Sequence, residues 1–460
     1  MDSFDAISPL DYRYYSRDKN FELLKQFLSE NARIKYQAKV EAALAKVLAK
    51  NKICSEKIAN EIAKACEKVS AKEVYEEEDK IRHDVRALAN KIREKVGEEA
   101  KPFVHFSSTS YDIVDTANAL RFKDAAEQAL LPALLEFEKT LMELALREKE
   151  TVQIGRTHGQ HAEPITFGFA IASYVSRLGG RIKAIQYAKE NLCGKFSGAV
   201  GAYNAASLLF ENPMEFEAEI MKELGLKASV SSTQIVEAEP LADLMHAIVS
   251  CFGVLANFSD DMRNLQRSEI AEIGEEFSAR QVGSSTMPQK RNPINFENVK
   301  SFWKQFMPRM NTVYMDQISE HQRDLTNSAS QRFLPEIFAA LFLSTKRLDR
   351  VVSKMSVDKA NMKKNFENSK GMLVAEPLYI LLAKHGHSNA HETVRELTLK
   401  AQAEKKSLMG LAKENKELAG FLKKFSKEQL EILENPEKYV GQAVVKTKKI
   451  VEHWKKELGI

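Results

Sequence analysis

Leu241-Ala242-Asp243-Leu244-Met245-His246-Ala247-Ile248-Val249-Ser250-Cys251-Phe252-Gly253-Val254-Leu255-Ala256-Asn257-Phe258-Ser259-Asp260-Asp261-Met262-Arg263-Asn264-Leu265 is the stretch whose reading decides the fold. Its apolar residues, among them Leu241, Leu244, Met245, Ile248, Val249, Phe252, Leu255 and Ala256, return every three or four positions. That is the period of an α-helix with one buried face. The run lasts about seven turns, longer than an ordinary globular helix. Similar patterns cover roughly 115–150, 161–192, 294–320 and 334–353. Helices of this length joined by short polar loops predict an all-α protein built on an elongated central bundle. No strand-like alternation is convincing, and extended pieces are expected only near 195–205 and 228–236.

Composition agrees. Of 460 residues, 44% are hydrophobic and 29% charged, with only 19 Gly and 12 Pro, a balance that favours helix and a large core. The net charge of +4 is small beside 68 basic and 64 acidic residues, so nothing points to nucleic acid. Cys54, Cys66, Cys193 and Cys251 are scattered without metal-ligand spacing, which suits reduced thiols. The N-terminus lacks a basic stretch followed by an apolar run, and no 18-residue apolar span is expected, so the sequence predicts a cytoplasmic protein without a membrane partner. Shorter helices occupy the start, and Val357–Met362 looks like a freshly capped helix. Three regions are therefore expected: an N-terminal helical domain over 1–111, the bundle over 112–353 and a C-terminal helical domain over 354–460. The Lys- and Glu-rich last ~70 residues read as surface helices with a solvated face.

Chemistry concentrates in a few loops. Ser284-Ser285-Thr286-Met287-Pro288-Gln289-Lys290-Arg291-Asn292-Pro293, preceded by Gly283, sets two hydroxyls close to two cations ahead of a helix. A cation and backbone N–H groups near a serine favour its ionised form and hold anionic substrates. Gly155-Arg156-Thr157-His158-Gly159-Gln160-His161-Ala162-Glu163-Pro164 reads as a glycine-flanked loop with two histidines. Residue types alone leave a structural, a general-acid and a metal-binding role open for them. His105-Phe106-Ser107-Ser108-Thr109-Ser110-Tyr111-Asp112 fits either an anion nest at a helix start or a plain N-cap box. Arg323, Ser328 and Arg332 could clamp a phosphate or mark a charged connection between helices. Arg82-His83-Asp84 and Arg13-Tyr14 say little alone, and His385, His387 and His391 read as structural or surface groups.

The Gly-Ser-Ser-x-Met-Pro-x-Lys-x-Asn pattern at 283–292 resembles the signature of the fumarase/aspartase superfamily, whose members release fumarate by β-elimination. Three motif regions match, around 105–116, 155–164 and 283–297. Lys290-Arg291-Asn292-Pro293, Arg82-His83-Asp84-Val85, the Arg156–Pro164 run and the Arg323/Ser328/Arg332 spacing make the chain similar to the adenylosuccinate lyases over nearly its whole length. Ser8–Tyr14, Ser197–Gly201 and Ser232-Thr233-Gln234 also have counterparts there. Departures are Ser107-Ser108 where Gly-Leu is usual, Tyr111 where Thr or Asn is usual, and Glu237 and Glu239-Pro240 in a stretch that is often basic.

The resemblance implies a three-domain, all-helical homotetramer whose active sites are shared between subunits. It implies cleavage of adenylosuccinate to AMP and of SAICAR to AICAR, each with fumarate, and no cofactor or metal. Ser284 would be the general base and His158 the general acid. Lys290 and Asn292 would stabilise the carbanion's carboxylate, His83 would support the acid or touch phosphate, and Glu297 would orient the histidine. Thr109, Ser110 and Gln234 would hold the succinyl arm; Arg13, Tyr14, Arg323, Ser328 and Arg332 would hold the nucleotide. His105, Asp112, Thr157, Ser285 and Met287 complete the implied binding set. An argininosuccinate lyase or related carboxylate lyase is the alternative. A non-enzymatic structural member fits poorly with Ser284, Lys290 and His158 all present.

Overall fold

A computed structural model of the chain describes residues 8, 10–14, 21–276 and 286–460. The expected long helices form. Glu239–Leu265 is one helix of 27 residues, and Leu334–Val352 is another of 19. The 115–150 pattern resolves into Ser110–Ala125 and Leu131–Arg147, joined by a helical turn at Ala126–Leu130. The 294–320 pattern breaks into Ile294–Phe306 and Arg309–Met315 at Pro308, because proline lacks the N–H the helix needs. Asp358 caps Lys359–Glu367 by accepting from the Asn361 N–H at 2.9 Å, as its position suggested.

Three expectations need correction. Residues 152–166 are not loop and helix but an antiparallel hairpin, β1 Val152–Thr157 and β2 Gln160–Thr166. The Phe167–Glu190 helix therefore starts later than its apolar pattern suggested. Glu239–Leu265 also contains an 18-residue window of mean hydropathy 1.6, which meets the length and apolarity of a membrane span. Two-thirds of that window is buried inside the protein, as befits a core helix. The expected extended pieces shrink to a two-residue parallel bridge, Cys193–Gly194 with Lys227–Ala228.

The chain folds into two compact units. The first uses described residues within 1–136, 180–255 and 299–347; the second uses those within 137–179, 256–298 and 348–460. In the first, Ile34, Ile62, Leu88 and Ile92 lie in one buried apolar cluster, and Phe122 stacks on Phe338 with ring centroids 5.4 Å apart. In the second, Phe258 meets Phe137, Tyr174 and Phe296 edge-on at 5.2–6.2 Å. Leu378, Leu382, Leu408 and Leu418 build a separate cluster in the C-terminal helices. His385 stacks on Phe425, and His387 packs against Phe421 at a tilt, both at that cluster.

Candidate active site

The first unit contains a cavity lined by His83, Ser110, Tyr111, Arg323, Ser328 and Arg332, so it gathers five predicted site residues and one of the noted departures. Each wall has a local cause. Arg82 ends the Ala71–Ile81 helix in a left-handed conformation (φ +57°), which lets His83 begin the next one. His83 caps that helix, its Nδ1 accepting from the Arg86 N–H at 3.2 Å. With Nδ1 so engaged, Nε2 is the ring nitrogen left for a ligand. Across the cavity, the Asp324 carboxylate accepts from the Glu320 and Thr326 N–H groups (3.0 and 2.9 Å) and from the Thr326 hydroxyl (2.6 Å), folding the loop that presents Arg323. The Thr326 hydroxyl above all, then these N–H groups, hold the Asp324 carboxyl below its usual range.

The Arg323 guanidinium lies over the Tyr111 ring, its carbon 3.3 Å from the ring centroid, and donates to the Tyr111 hydroxyl. Burial raises the pKa of that hydroxyl, although Arg323 opposes the shift, so Tyr111 stays protonated. The buried Nε of Arg323 has no hydrogen-bond partner among the described residues. Arg33, Arg82 and Arg121 also line the cavity, making five guanidiniums against the carboxylates of Glu30, Glu78 and Asp84. Such an excess suits a doubly charged anion.

Other predicted residues of the first unit stand elsewhere. Arg13 is exposed on the Leu10–Tyr14 turn, while the Tyr14 ring meets Phe302 edge-on at 4.5 Å. His105 is pinned by Glu41, which lies 2.7 Å from its Nδ1 and accepts its backbone N–H at 3.1 Å. Burial alone would lower the His105 pKa, but Glu41 outweighs it and the net direction is up. Thr109 donates its N–H to Asp112 Oδ2 at 2.8 Å, the N-cap arrangement weighed from sequence. Asp112 itself is fully buried and ion-paired with Lys195, so its carboxylate ties the helix start to the 195–198 segment. Gln234 is half-buried beside that region, where Val236 N–H donates to Asp115 at 2.9 Å.

The second unit carries Thr157, His158, Met287, Lys290, Asn292 and Glu297; Ser284 and Ser285 lie outside the described residues. His158 and Gly159 form the two-residue turn between β1 and β2, with φ +53° and +75°. Both positive angles match the twist of a tight hairpin and set His158 at an exposed tip. Below it, buried Glu272 accepts from Arg156 (2.6 and 3.1 Å), Gln153 (2.7 Å) and Asn365 (2.9 Å), locking the hairpin. Glu275 plays a matching part for the signature loop. Its carboxylate accepts the Asn295 and Phe296 N–H groups at 3.0 Å, and its own N–H donates to Gln266, which also reaches the Arg291 carbonyl at 3.3 Å. Lys290, Met287 and Glu297 are exposed. Sequence reasoning missed Glu272 and Glu275, whose partners lie far away along the chain, and Arg33 and Arg121, whose burial no local pattern announces.

Comparison with known proteins adds the family. Residues 13–307 match a lyase family model, and residues 319–440 match the adenylosuccinate lyase C-terminal model. The adenylosuccinate lyase of Pyrococcus horikoshii is 36% identical over 454 residues, covering 97% of this chain and 98% of that protein. That of Archaeoglobus fulgidus is 34% identical over 458 residues, covering 98% and 99%. Among solved structures, a 3-carboxy-cis,cis-muconate lactonizing enzyme from Pseudomonas putida superposes with a TM-score of 0.84 at 24% identity, covering 98% of this chain and 100% of that one. A fumarate lyase from Mesorhizobium sp. BNC1 gives 0.82 at 22%, covering 94% and 97%, and both show likeness of fold alone. Full-length similarity at these identities, together with both family models, places the chain in the adenylosuccinate lyase family.

Proposed function

We propose that the protein eliminates fumarate from adenylosuccinate to give AMP, and from SAICAR to give AICAR. The observation that carries this reading, beside family membership, is the arginine-rich cavity in which Arg323, Ser328 and Arg332 meet His83 and Ser110. Both substrates are nucleotide monophosphates with a succinyl arm. A guanidinium set with a carboxylate deficit suits the phosphate.

The chemistry breaks a carbon–nitrogen bond. A base removes a proton from the succinyl carbon beside a carboxylate, and an acid protonates the leaving nitrogen. In our reading Ser284 is the base, assigned by its place in the signature. Lys290 and Asn292 stabilise the extra negative charge on the carboxylate, and His158 is the acid. His83 supports it or contacts phosphate, Glu297 orients the histidine, and Thr109, Ser110 and Gln234 hold the succinyl arm. Arg13 and Tyr14 complete the nucleotide site.

We propose a cytoplasmic homotetramer with sites shared between subunits. Two features support it: the exposed His158 at its hairpin tip, and the exposed apolar side chains of Met315, Ile318, Leu325 and Phe333 in one segment of the first unit. The division at 111 and 353 is likewise our proposal, supported by the separate apolar clusters near both ends of the chain.

A spectrophotometric assay tests the activity with adenylosuccinate, argininosuccinate and fumarate as alternative substrates. Fumarate release from adenylosuccinate is expected. Turnover of argininosuccinate alone would replace the reading with that of its alternative. Shared sites are tested by refolding His158→Ala and Ser284→Ala chains together. In an equal mixture roughly one quarter of sites would be intact in both positions. Hybrid tetramers without activity would mean that one chain supplies both residues.

A further inference from the structure

We infer that Arg121 is an additional phosphate-binding residue of the first unit's cavity, held by Asn118 so that its guanidinium faces the nucleotide. The inference rests on the function proposed above and adds a residue that no motif identified.

Arg121 belongs to the Ser110–Ala125 helix. Ser110, Val114, Asn118 and Arg121 follow helical spacing, and all four line the cavity. Arg121 is only 4% exposed. Its Nε donates to Asn118 Oδ1 at 3.0 Å, and its guanidinium lies 4.8 Å from the Phe122 ring centroid. Among the described residues no carboxylate comes within ion-pair distance of it. Its neighbour Arg33 differs, being engaged by Glu30 at 2.9 Å and by the Tyr75 hydroxyl at 3.1 Å.

A buried cation without a counter-ion is costly, the more so beside other cations. Burial first, then Arg33, pushes the Arg121 pKa down to about 10 against the opposing pull of Glu30, which leaves the group charged near neutral pH. Arg323, whose buried Nε has no hydrogen-bond partner among the described residues, lines the same cavity. Both deficits are met by one dianion whose several oxygens accept from more than one guanidinium. A nucleotide phosphate has that charge and those acceptors. The succinyl carboxylates are the other source of negative charge, and the experiment separates the two.

Arg121→Met and Arg121→Lys variants of the full chain would be titrated calorimetrically with AMP, adenosine and fumarate. Arg121→Met should bind AMP about 10- to 100-fold more weakly, the loss typical of a charge-assisted contact. Adenosine affinity should hold, and KM for adenylosuccinate should rise with kcat within a few-fold. Its ligand-free melting temperature should equal or exceed the wild type's, because an uncompensated buried cation is gone. A role confined to packing predicts the opposite: a lower melting temperature and equal losses for AMP and adenosine, which would overturn the proposal. A loss confined to fumarate would overturn the phosphate assignment. If Arg121→Met does not fold, Arg121→Lys decides. It keeps the charge but not the fork, so AMP binding at wild-type strength would reject Arg121. Wild-type protein that neither binds AMP nor releases fumarate would sink the functional reading itself, a result distinguishable from all of these.

Discussion

Glu138 offers a test of the interior that depends on no assumption about the substrate. It sits on the Leu131–Arg147 helix, fully buried, and neither carboxyl oxygen has a hydrogen-bond partner among the described residues. Burial alone pushes its pKa from 4.5 up to about 9. The folded protein therefore holds a proton at neutral pH that the unfolded chain releases. The sign follows from linkage. Stability tied to Glu138 is intact below pH ~4.5 and is lost as pH rises towards ~9, at roughly 1.4 kcal/mol per unit. Between pH 5.5 and 8.5 that amounts to about 4 kcal/mol. Glu138→Gln removes the proton but keeps the shape. Its own cost, an unsatisfied buried amide, does not change with pH. Urea denaturation of wild type and variant at both pH values, at one fixed protein concentration, isolates the term as a difference of differences. The variant should gain about 4 kcal/mol on the wild type as pH rises from 5.5 to 8.5. A difference constant within ~1 kcal/mol would refute the reasoning, and it would mean that Glu138 finds a partner or water in solution.

Three further outcomes are expected. Lys195→Met strands the Asp112 carboxylate in the interior and should cost ~3–5 kcal/mol in chemical denaturation, partly recovered in the double variant with Asp112→Asn; a loss under ~1 kcal/mol would mean that water reaches the pair. Tyr111→Ala removes the ring under Arg323 and should raise KM several-fold with kcat nearly unchanged, while Tyr111→Phe should keep most of the effect of the ring; equal kinetics in all three proteins would remove Tyr111 from the clamp. Ser107→Gly should stabilise the fold by up to ~1–2 kcal/mol in thermal melts, because Ser107 has φ +57° and a buried hydroxyl without a partner among the described residues; destabilisation would show that the serine's restriction of the unfolded chain outweighs its strain.

The helical frame was legible because long apolar stripes report one buried face locally. Leu241–Leu265 needs no distant partner to be read, and Asp358 caps its helix within three residues. The hairpin was not legible for an equally local reason. Gly155 and Pro164 interrupt the alternation of β1 and β2, and the turn is His158-Gly159 rather than the Asn-Gly or Asp-Gly that announces such turns. Glycines flanking two histidines therefore read as a ligand loop, and only the pairing of Val152 with Thr166 makes them a strand turn. Glu272 and Glu275 escaped because a glutamate in a charged stretch reads as solvated. Their meaning lies in partners such as Arg156, 116 residues away, and Asn295, 20 residues away.

The candidate site divides along the same line. Arg323, Ser328 and Arg332 lie within ten residues, so their spacing could suggest a clamp, and His83 was marked by its neighbours Arg82 and Asp84. What no single segment states is that these two stretches face the same helix. Yet half of that fact was present. Along Ser110–Ala125 the buried face carries Ile113, Ala117 and Leu120, while Ser110, Asn118 and Arg121 share another side with Val114. A polar stripe on a helix ordinarily means solvent. Here Arg121 is as buried as the apolar residues around it, and a charged side chain is rarely fully buried unless something pairs with it. The sequence displayed the stripe without its burial, and burial turns a solvated face into a binding face. Hence the residue with the strongest physical demand for an anion is the one that sequence reasoning passed over.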